Sequence, residues 1–544
     1  MSTISKVCIR LSLVGRWHPS FKTIIFAGMA GIALVQAGCE LVNSRPSIDI
    51  TVEDLTPLTG STQMFTAVVE DLDEDNVLVT WSATSGQFSK TRGQEVAWTA
   101  PLEIQQVVIM AFADDRKAGG TDTAQVTLSV VNQAPHIVTF TANEDFVTLG
   151  NSITLTSTAE ELDGEEFVFE FFSSPSGVGT MIHAAPEINT ATWIAPSDPS
   201  LARKYDLVVK VSDIQGFFSS DTLQILVFSE FGTIWIVDKF EQQVTKYTSR
   251  GEKILSARQQ FQNPVAVTNN TNFDFFGCYV ADQDAGQVIK LDAKGETIAT
   301  FGNLPAASDL AIHYGTGSLW VVSVGDAEPR LTVINTFTEN VIASVRGLRH
   351  PSAITINQNR NEVWIADIGE MDRIVQINIT DFLAAPPDTL DPAVTTVFEG
   401  NYNNPTDIAL LQEQTATVYI ADMNDDEVER LLYNSVGDSY IRGAPVDLGL
   451  NSKPSKVGVG PNGLVWVLGL DRSLQFFPED NTTQHTPIFS YMFAAPHTLA
   501  IDNATGHVWI GDNGTHQVVE ISEIDSVGVT IGGFSFVEDM VINK

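Results

Sequence analysis

Four charged side chains occupy the same place in a pattern that repeats through the second half of the chain. Six short apolar stretches open at or near a Pro, and a seventh lies at the end of the chain. The residues two positions after each opening are, in chain order, Ala266, Asp309, Ala353, Asp407, Lys456, Thr498 and Asp539. Three carboxylates and one ammonium arranged around an axis would bind a cation or a polar ligand. The alternative is that these side chains cap the loops where strands begin.

Two histidines lie at the mouths of such stretches and are the candidates for catalysis. His350 precedes Pro351, and His497 follows Pro496. A lyase or a hydrolase would need one of them to meet an acid or a metal, and a metal site needs several converging ligands. Three further histidines near strand ends are scattered along the chain, at His313, His507 and His516. The sequence therefore assigns no catalytic residue, and an enzyme is an alternative hypothesis.

Carboxylates crowd two acidic turns in the first half of the chain. Asp71, Asp73 and Asp75 alternate in the first turn, and Asp163 and Glu165 stand in the second. Clustered carboxylate oxygens are ligands that calcium prefers, so calcium is the one cofactor that the sequence suggests. The spacing lacks the full ligand loop of a strong calcium motif, and the alternative is a solvated turn.

The elements that position these residues follow from a sevenfold repeat. An aromatic residue inside an apolar strand, usually followed closely by Asp, recurs at Trp235, Tyr279, Trp320, Trp364, Tyr419, Trp466 and Trp509. Successive aromatics are 44, 41, 44, 55, 47 and 43 residues apart. This is the period of a four-stranded propeller blade. We expect the aromatics to pack between blades and the Asp residues to close the turn to the next strand.

The end of the chain supplies the strand that the first repeat lacks. The unit at Trp235 has no apolar stretch of its own before it, whereas Val537–Ile542 follows the last unit. Supplying the first blade from the C-terminus closes the ring and removes exposed strand edges. The sequence therefore predicts a seven-bladed β-propeller over residues 229–544, with the four charged side chains around its channel.

These repeats resemble those of NHL and YVTN-type propellers, and more distantly those of the streptogramin lyase group. The resemblance implies the fold and no particular activity, because propellers have many unrelated functions. The lyase group uses histidines on the propeller face together with an acid and a metal. Only Pro496-His497 is similar to that arrangement here, and no Gly follows it.

Residues 46–228 repeat at a longer period. The sequence EDLD at 70–73 recurs as EELD at 160–163, and WTAP at 98–101 recurs as WIAP at 193–196. The strand ending at Asp114 recurs as one ending at Asp213. Each copy has the size of an immunoglobulin-like sandwich, and the pair resembles bacterial Ig-like and PKD-like modules. We therefore predict an all-β protein with two Ig-like sandwiches, 46–132 and 133–228, before the propeller.

Residues 1–38 differ from the rest of the chain. They have basic side chains, no acid and a short apolar run, which is the pattern of a signal peptide. The run ends at Gln36-Ala37-Gly38-Cys39, which resembles the lipobox of bacterial lipoproteins and implies that Cys39 is lipidated. Gln36 departs from that pattern, which prefers an aliphatic residue. Ordinary cleavage after Ala37, giving a secreted protein, is the alternative.

The formal charge of −37 restricts the partners of the protein. Such a field repels phosphate backbones, so nucleic acid is excluded, and membrane contact is expected only through the N-terminal lipid. With three Cys there is no disulfide framework. The leading hypothesis is an exported scaffold on the bacterial cell envelope whose propeller face binds a protein, peptide or glycan. The alternatives are a propeller lyase or hydrolase, metal-dependent or not, and a structural or adhesion protein.

Overall fold

The computed structural model describes residues 43–162, 164–269, 276–325, 328–410, 417–449, 451–479, 486–488, 493–523 and 526–543. The predicted signal peptide, Cys39 and Asp163 lie outside these ranges. The chain divides into two compact units, Met1–Asn132 and Gln133–Lys544. None of the helices in the described ranges has the length and apolar character needed to cross a membrane.

The first unit is a sandwich of two antiparallel sheets. Its strands are β1 (Ser47–Thr51), β2 (Thr62–Glu70), β3 (Leu78–Ala83), β4 (Gln87–Phe88), β5 (Glu95–Thr99), β6 (Gln106–Asp114) and β7 (Thr121–Ser129). One sheet has the order β1-β2-β5-β4 and the other β3-β6-β7. Phe65 packs edge-on against Trp81 and Trp98, with 6.0 Å between ring centroids in both pairs. These three aromatics form the centre of the core between the sheets.

The second unit begins with a second sandwich. Its strands are β8 (His136–Ala142), β9 (Phe146–Thr148), β10 (Ser152–Glu160), β11 (Phe167–Ser174), β12 (Thr180–Ile182), β13 (Thr190–Ile194), β14 (Lys204–Asp213) and β15 (Phe218–Phe228), with a 3-10 turn at Pro199–Leu201. The two sheets have the orders β12-β13-β10-β8 and β11-β14-β15-β9. Trp193 is fully buried between them beside Tyr205.

Seven sheets of consecutive strands follow, and each is a propeller blade. Blade 1 contains β16 (Ile234–Asp238), β17 (Gln243–Tyr247) and β18 (Lys253–Ser256). Blade 2 contains β19 (Pro264–Asn269), β20 (Cys278–Asp282), β21 (Gln287–Leu291) and β22 (Thr297–Phe301). Blade 3 contains β23 (Ala307–His313), β24 (Ser318–Ser323), β25 (Arg330–Asn335) and β26 (Asn340–Arg346). Blade 4 contains β27 (Pro351–Asn357), β28 (Glu362–Asp367), β29 (Arg373–Asn378) and β30 (Thr395–Glu399).

The remaining blades continue the same order from the channel outward. Blade 5 contains β31 (Pro405–Leu410), β32 (Val418–Asp422), β33 (Glu427–Asn434), β34 (Ser439–Arg442) and the short β35 (Val446–Asp447). Blade 6 contains β36 (Pro454–Val459), β37 (Leu464–Gly469), β38 (Leu474–Pro478) and β39 (Thr486–Ile488). Blade 7 contains β40 (Pro496–Ile501), β41 (Val508–Asp512), β42 (Gln517–Glu523) and β43 (Ser526–Gly532). The last strand is β44 (Val537–Ile542).

The last strand closes the ring, as the sequence predicts. β44 pairs antiparallel with β16, in a register that places Ile234 opposite Ile542 and Ile236 opposite Met540. It is therefore the inner strand of blade 1, and it also contacts the inner strands of blades 2 and 7. The predicted all-β fold with a C-terminally closed propeller is confirmed.

The repeated aromatics are buried, and several of them join one blade to the next. The seven side chains are between 0% and 3% exposed. Trp320 of blade 3 packs with the strands of blade 4, and Trp364 of blade 4 packs with the strands of blade 5. Cys278, the one thiol in the described residues, is buried among the apolar side chains of blades 1 and 2. Burial raises the pKa of this thiol well above its usual range, so it is a small core side chain.

The propeller has two faces with different surroundings. We call the face where the inner strands begin the front face; it is formed by the loops that enter each blade and by the second-to-third strand turns. The second sandwich contacts the opposite, back face. There the Arg250 guanidinium donates to the Ala202 carbonyl, and Lys294 Nζ lies 2.6 Å from Glu144 Oε1. The segment between β15 and β16 is held to blade 1 by an ion pair between its Glu230 and the buried Lys246 of β17.

The segment from Asp381 to Gly400 lies in the longest spacing between aromatics, the 55 residues from Trp364 to Tyr419, and it is partly regular structure. Helix α1 (Ile379–Ala384) begins at Asn378, whose side chain accepts a hydrogen bond from the Asp381 N–H. Phe382 on this helix is buried and packs 4.9 Å from Trp320. The segment then returns to form β30, so it contributes to the blade core and is not a simple surface loop.

Candidate binding site at the channel and front face

The three channel carboxylates connect neighbouring blades. Each accepts a hydrogen bond from a backbone N–H on the inner strand of the next blade. Asp309 accepts from Ile354 at 2.9 Å, and Asp407 accepts from Val457 at 2.9 Å. Asp539 accepts from Val267 at 2.8 Å. These donors lie inside the next inner strands and not in loops, so the bonds join blades instead of capping loops, because a carboxylate directed along the ring reaches the adjacent strand.

Lys456 is the positive charge among these carboxylates. Among the described residues it forms no direct ion pair, yet the charges of Asp407, Asp539 and Asp309 raise the pKa of its ammonium above the usual range. The attraction of Lys456 for these carboxylates therefore acts beyond the distance of a direct ion pair. The structure brings together all four side chains that the sequence places around the channel.

Burial raises the pKa values of the carboxyls, and Lys456 opposes this rise. The pKa of Asp309 is raised to about 7 and that of Asp539 to about 6, and the pKa of Asp407 is also raised. The folded protein thus keeps protons that the unfolded chain releases between about pH 4 and pH 7. The free energy of unfolding accordingly falls as the pH rises through this window.

A second cluster lies where blades 7 and 1 meet on the front face. His497 Nε2 is 3.4 Å from Glu538 Oε2, and Lys239 Nζ is 3.0 Å from Glu538 Oε1. Phe536 packs 4.9 Å from the His497 ring and 4.8 Å from the Phe240 ring. Burial acts to raise the pKa of Glu538, but His497 and Lys239 lower it, so the carboxylate is held ionised.

The two candidate histidines do not form one site. His350 begins blade 4 and His497 begins blade 7, so they lie on different sides of the seven-bladed ring. The backbone N–H of His350 donates to Asp367, and the residue is exposed. Of these two, only His497 meets an acid, Glu538, which the repeat pattern does not mark as a candidate. His507, on the back-face turn of blade 7, lies 2.7 Å from Glu520.

The sequence contains a signal for the His497–Glu538 cluster at the repeat position just before the one that holds the channel charges. Glu538 and His497 occupy the position directly after the opening residue, where four other blades have a hydroxyl: Ser308, Ser352, Thr406 and Ser455. Ser352 Oγ donates to the Pro405 carbonyl at 2.6 Å, which joins blade 4 to blade 5. Blade 2 has the apolar Val265 at this position, so His497 and Glu538 are the two ionisable departures from Ser or Thr, and both lie at the seam between blades 7 and 1.

The Asp that follows each aromatic has a structural role, at a different place from the one expected. Asp367 accepts hydrogen bonds from the N–H groups of Arg349 and His350, which precede the inner strand of the same blade. The same pattern occurs at Asp238, Asp282, Asp422 and Asp512. In these five blades the carboxylate therefore fixes the loop that enters the blade more than the turn that follows; blades 3 and 6 have Ser323 and Gly469 at this position.

The acidic turn of the first sandwich brings two of its predicted residues to a third carboxylate. Oxygens of Asp71, Asp75 and Asp115 lie within 4.8 Å of one another. Asp73 points elsewhere and accepts hydrogen bonds from Ser44. In the second sandwich, Glu165 Oε1 accepts a hydrogen bond from Gln215 at 2.6 Å.

Comparison with known proteins finds distant structural similarities. No family model and no curated protein matches the chain. A functionally unknown protein from Desulfotomaculum acetoxidans is 11% identical with a TM-score of 0.47, over 57% of this chain and 99% of its own. A putative 6-phosphogluconolactonase from Bacteroides fragilis is 10% identical with a TM-score of 0.45, over 57% and 97%. Virginiamycin B lyase from Staphylococcus aureus is 14% identical with a TM-score of 0.40, over 51% and 87%. We draw no functional argument from similarities this distant.

The role of the channel lysine is testable by stability measurements at two pH values. In Lys456→Met the carboxyls lose their countercharge, so their pKa values rise further and ionised carboxylates cost more. We expect the variant to lose about 2 kcal/mol more unfolding free energy at pH 8 than at pH 5. Denaturant titration of the propeller transition measures this difference. The exposed Lys253→Met is the control, and equal losses of Lys456→Met at both pH values would contradict the assignment.

Proposed function

We propose that this protein is exported, is held on the cell envelope by a lipid on Cys39, and binds a protein or peptide with the front face of its propeller. The observation that supports this most is that the second sandwich contacts the back face, while none of its contacts in the described residues reaches the front face; exposed apolar side chains occur on turns of both faces. The second sandwich contacts the back face through Arg250 and Lys294. Apolar side chains are exposed on the front-face turns, which is the kind of surface that partner proteins cover.

Three of these apolar residues stand on equivalent turns of different blades. Phe240 is 67% exposed on blade 1, Met371 is 58% exposed on blade 4, and Leu470 is 51% exposed on blade 6. Each follows the end of the second strand, so the three surround the channel mouth at separated points. A small ligand would not reach all of them, whereas a protein surface or an extended peptide spans such distances.

The seam between blades 7 and 1 supplies polar contacts beside this apolar surface. Lys239, His497 and Glu538 lie next to the aromatic pair Phe240 and Phe536. Apolar anchors next to charged groups are typical of protein recognition sites. Because the loops are fixed by buried carboxylates such as Asp367, the partner would meet a preformed surface.

The lyase or hydrolase hypothesis has weaker support from the geometry. His497 and Glu538 form a pair, but Lys239 also engages the carboxylate, and His350 lies in another blade. No second histidine or thiol of the described residues joins the pair. The binding function therefore remains the better-supported proposal.

Export and anchoring rest on the N-terminal sequence. The basic start, the short apolar run and Ala37-Gly38-Cys39 are the features that support them. The single buried thiol of the described residues, Cys278, is consistent with a chain whose other cysteines belong to the leader and its cleavage site.

Site-specific photo-crosslinking tests the binding face. We expect a photoreactive phenylalanine at position 240 to give a discrete protein adduct in intact producing cells, because Phe240 lies on the front face. Phe337 is the matched control, since it is 64% exposed on a turn of the back face. Mass spectrometry of the adducts identifies the partner. Identical adducts at both positions, or none at either, would argue against a front-face partner.

Replacement of the predicted lipidated residue tests the anchor. In Cys39→Ser, we expect the protein to move from the membrane fraction to the soluble fraction of a bacterial host, because the acyl chains provide the membrane affinity. Cys8→Ser changes the other leader cysteine and should leave the distribution unaltered. Immunoblotting of the fractions measures the change. A Cys39→Ser variant that stays on the membrane would show that the lipid assignment is wrong.

A further inference from the structure

Asp71, Asp75 and Asp115 cluster at one end of the first sandwich, which we call its acidic pole, and carboxylates of this kind are cation ligands. Asp71 and Asp75 lie in the loop between β2 and β3, and Asp115 follows β6, so two loops bring three carboxylates within 4.8 Å of one another. Asp115 is only 5% exposed. The nearby residue 120 is Gly, and a Cβ there would stand 1.9 Å from Asp115 Oδ1. The fold thus leaves space for this carboxylate at a buried position.

Two oxygen atoms at this pole lack a hydrogen-bond donor. Asp71 Oδ2 and Asn43 Oδ1 each expose less than 1 Å² and accept no hydrogen bond within the described part of the chain. Asn43 belongs to the cluster because its amide donates to Asp115 Oδ2 at 2.8 Å. A buried carboxylate oxygen without a donor is costly. A cation bound among these oxygens would remove that cost.

Lys117 is the local positive charge. Its ammonium pairs with Asp75 Oδ2, and its side chain is 52% exposed. Three carboxylates and one ammonium leave a net charge of −2 on the cluster, which equals the charge that a divalent cation neutralises.

The second sandwich repeats this pole with one informative difference. Asp213 resembles Asp115, since both are buried, at 6% and 5% exposure, and the N–H groups of Gln215 and Lys117 donate to them at 2.8 and 2.7 Å. The N–H of each also donates to a carbonyl across the turn that follows, Phe217 for Asp213 and Gly120 for Asp115. Gln215, the counterpart of Lys117, donates to Glu165 where the lysine pairs with Asp75. The same pole therefore exists without a positive charge.

We propose that Asp71, Asp75, Asp115 and Asn43 bind one calcium ion in the first sandwich. Carboxylate and amide oxygens from separate loops are the ligand set that calcium accepts, with solvent completing its coordination. The ion would cross-link the segment entering the sandwich at Asn43 to the loops after β2 and β6. Affinities of extracellular modules, with a Kd on the order of 10⁻⁴–10⁻³ M, are the expected range.

Equilibrium dialysis of the purified full-length protein against radioactive calcium tests this proposal. We expect the double variant Asp71→Asn with Asp115→Asn to bind one calcium ion fewer per chain than the wild type. The matched control removes the same charge from exposed positions of the same sandwich, through Asp49→Asn with Glu53→Gln. The control should bind as many ions as the wild type. Equal binding by the double variant and the wild type would overturn the proposal.

The lysine provides a second test, which does not require removal of a ligand. In Lys117→Gln the competing ammonium is absent, so we expect calcium to bind about threefold more tightly than in the wild type. The wild type and this variant should also gain thermal stability with calcium. An unchanged or weaker affinity would overturn the site, as would an equal stabilisation by magnesium at the same concentration, since that would indicate general charge screening.

Discussion

The pairing of the last strand with the first blade is the contact on which the propeller depends. β16 and β44 are about 300 residues apart in sequence, and bringing such distant segments together costs about 5 kcal/mol of chain entropy. The paired strands offset this cost by burying Ile234, Ile236, Met540 and Ile542 in one core. Without this pairing, β16 and the inner strand of blade 2 would each lose a neighbour.

Closure also determines where charges can be placed. Because the inner strands form a complete ring, Asp539 on the last strand reaches the backbone of Val267 in blade 2. Asp309 and Asp407 make the same contact farther round the ring. The carboxylates are thus separated by blades that lack one, and Lys456 offsets their charge from the remaining side. This alternation stabilises the ring while keeping like charges apart.

The front face combines regularity with local exceptions. The loops that enter the blades are held in a common way by carboxylates such as Asp367 and Asp512, so the surface they form is rigid. Function requires positions that differ, and these occur where a repeat residue is replaced. Glu538 and His497 replace the hydroxyls of other blades, and Phe240 adds an exposed ring beside them. The seam created by closure is therefore also the most distinctive part of the face.

The sequence predicts the architecture better than the site, for physical reasons. Period and hydrophobic pattern depend on local structure, so the seven blades, the closing strand and the four channel charges are found correctly. Contacts between segments distant in sequence leave no periodic signal. The partnership of Asp115 with Asp71 depends on how two loops meet in space, so the sequence does not single out Asp115. The bonds from Asp309 and Asp407 to the next blade likewise depend on side-chain direction, which the pattern alone does not specify.

Hydrogen exchange of the full-length protein, followed by mass spectrometry, tests the closed ring most directly. If β44 is the inner strand of blade 1, its amides between Val537 and Ile542 exchange as slowly as those of the inner strand Pro351–Asn357 in blade 4. Both strands would then open only with the whole propeller. Exchange of β44 at the rate of a frayed terminus, with blade 4 still protected, would contradict closure by the C-terminal strand.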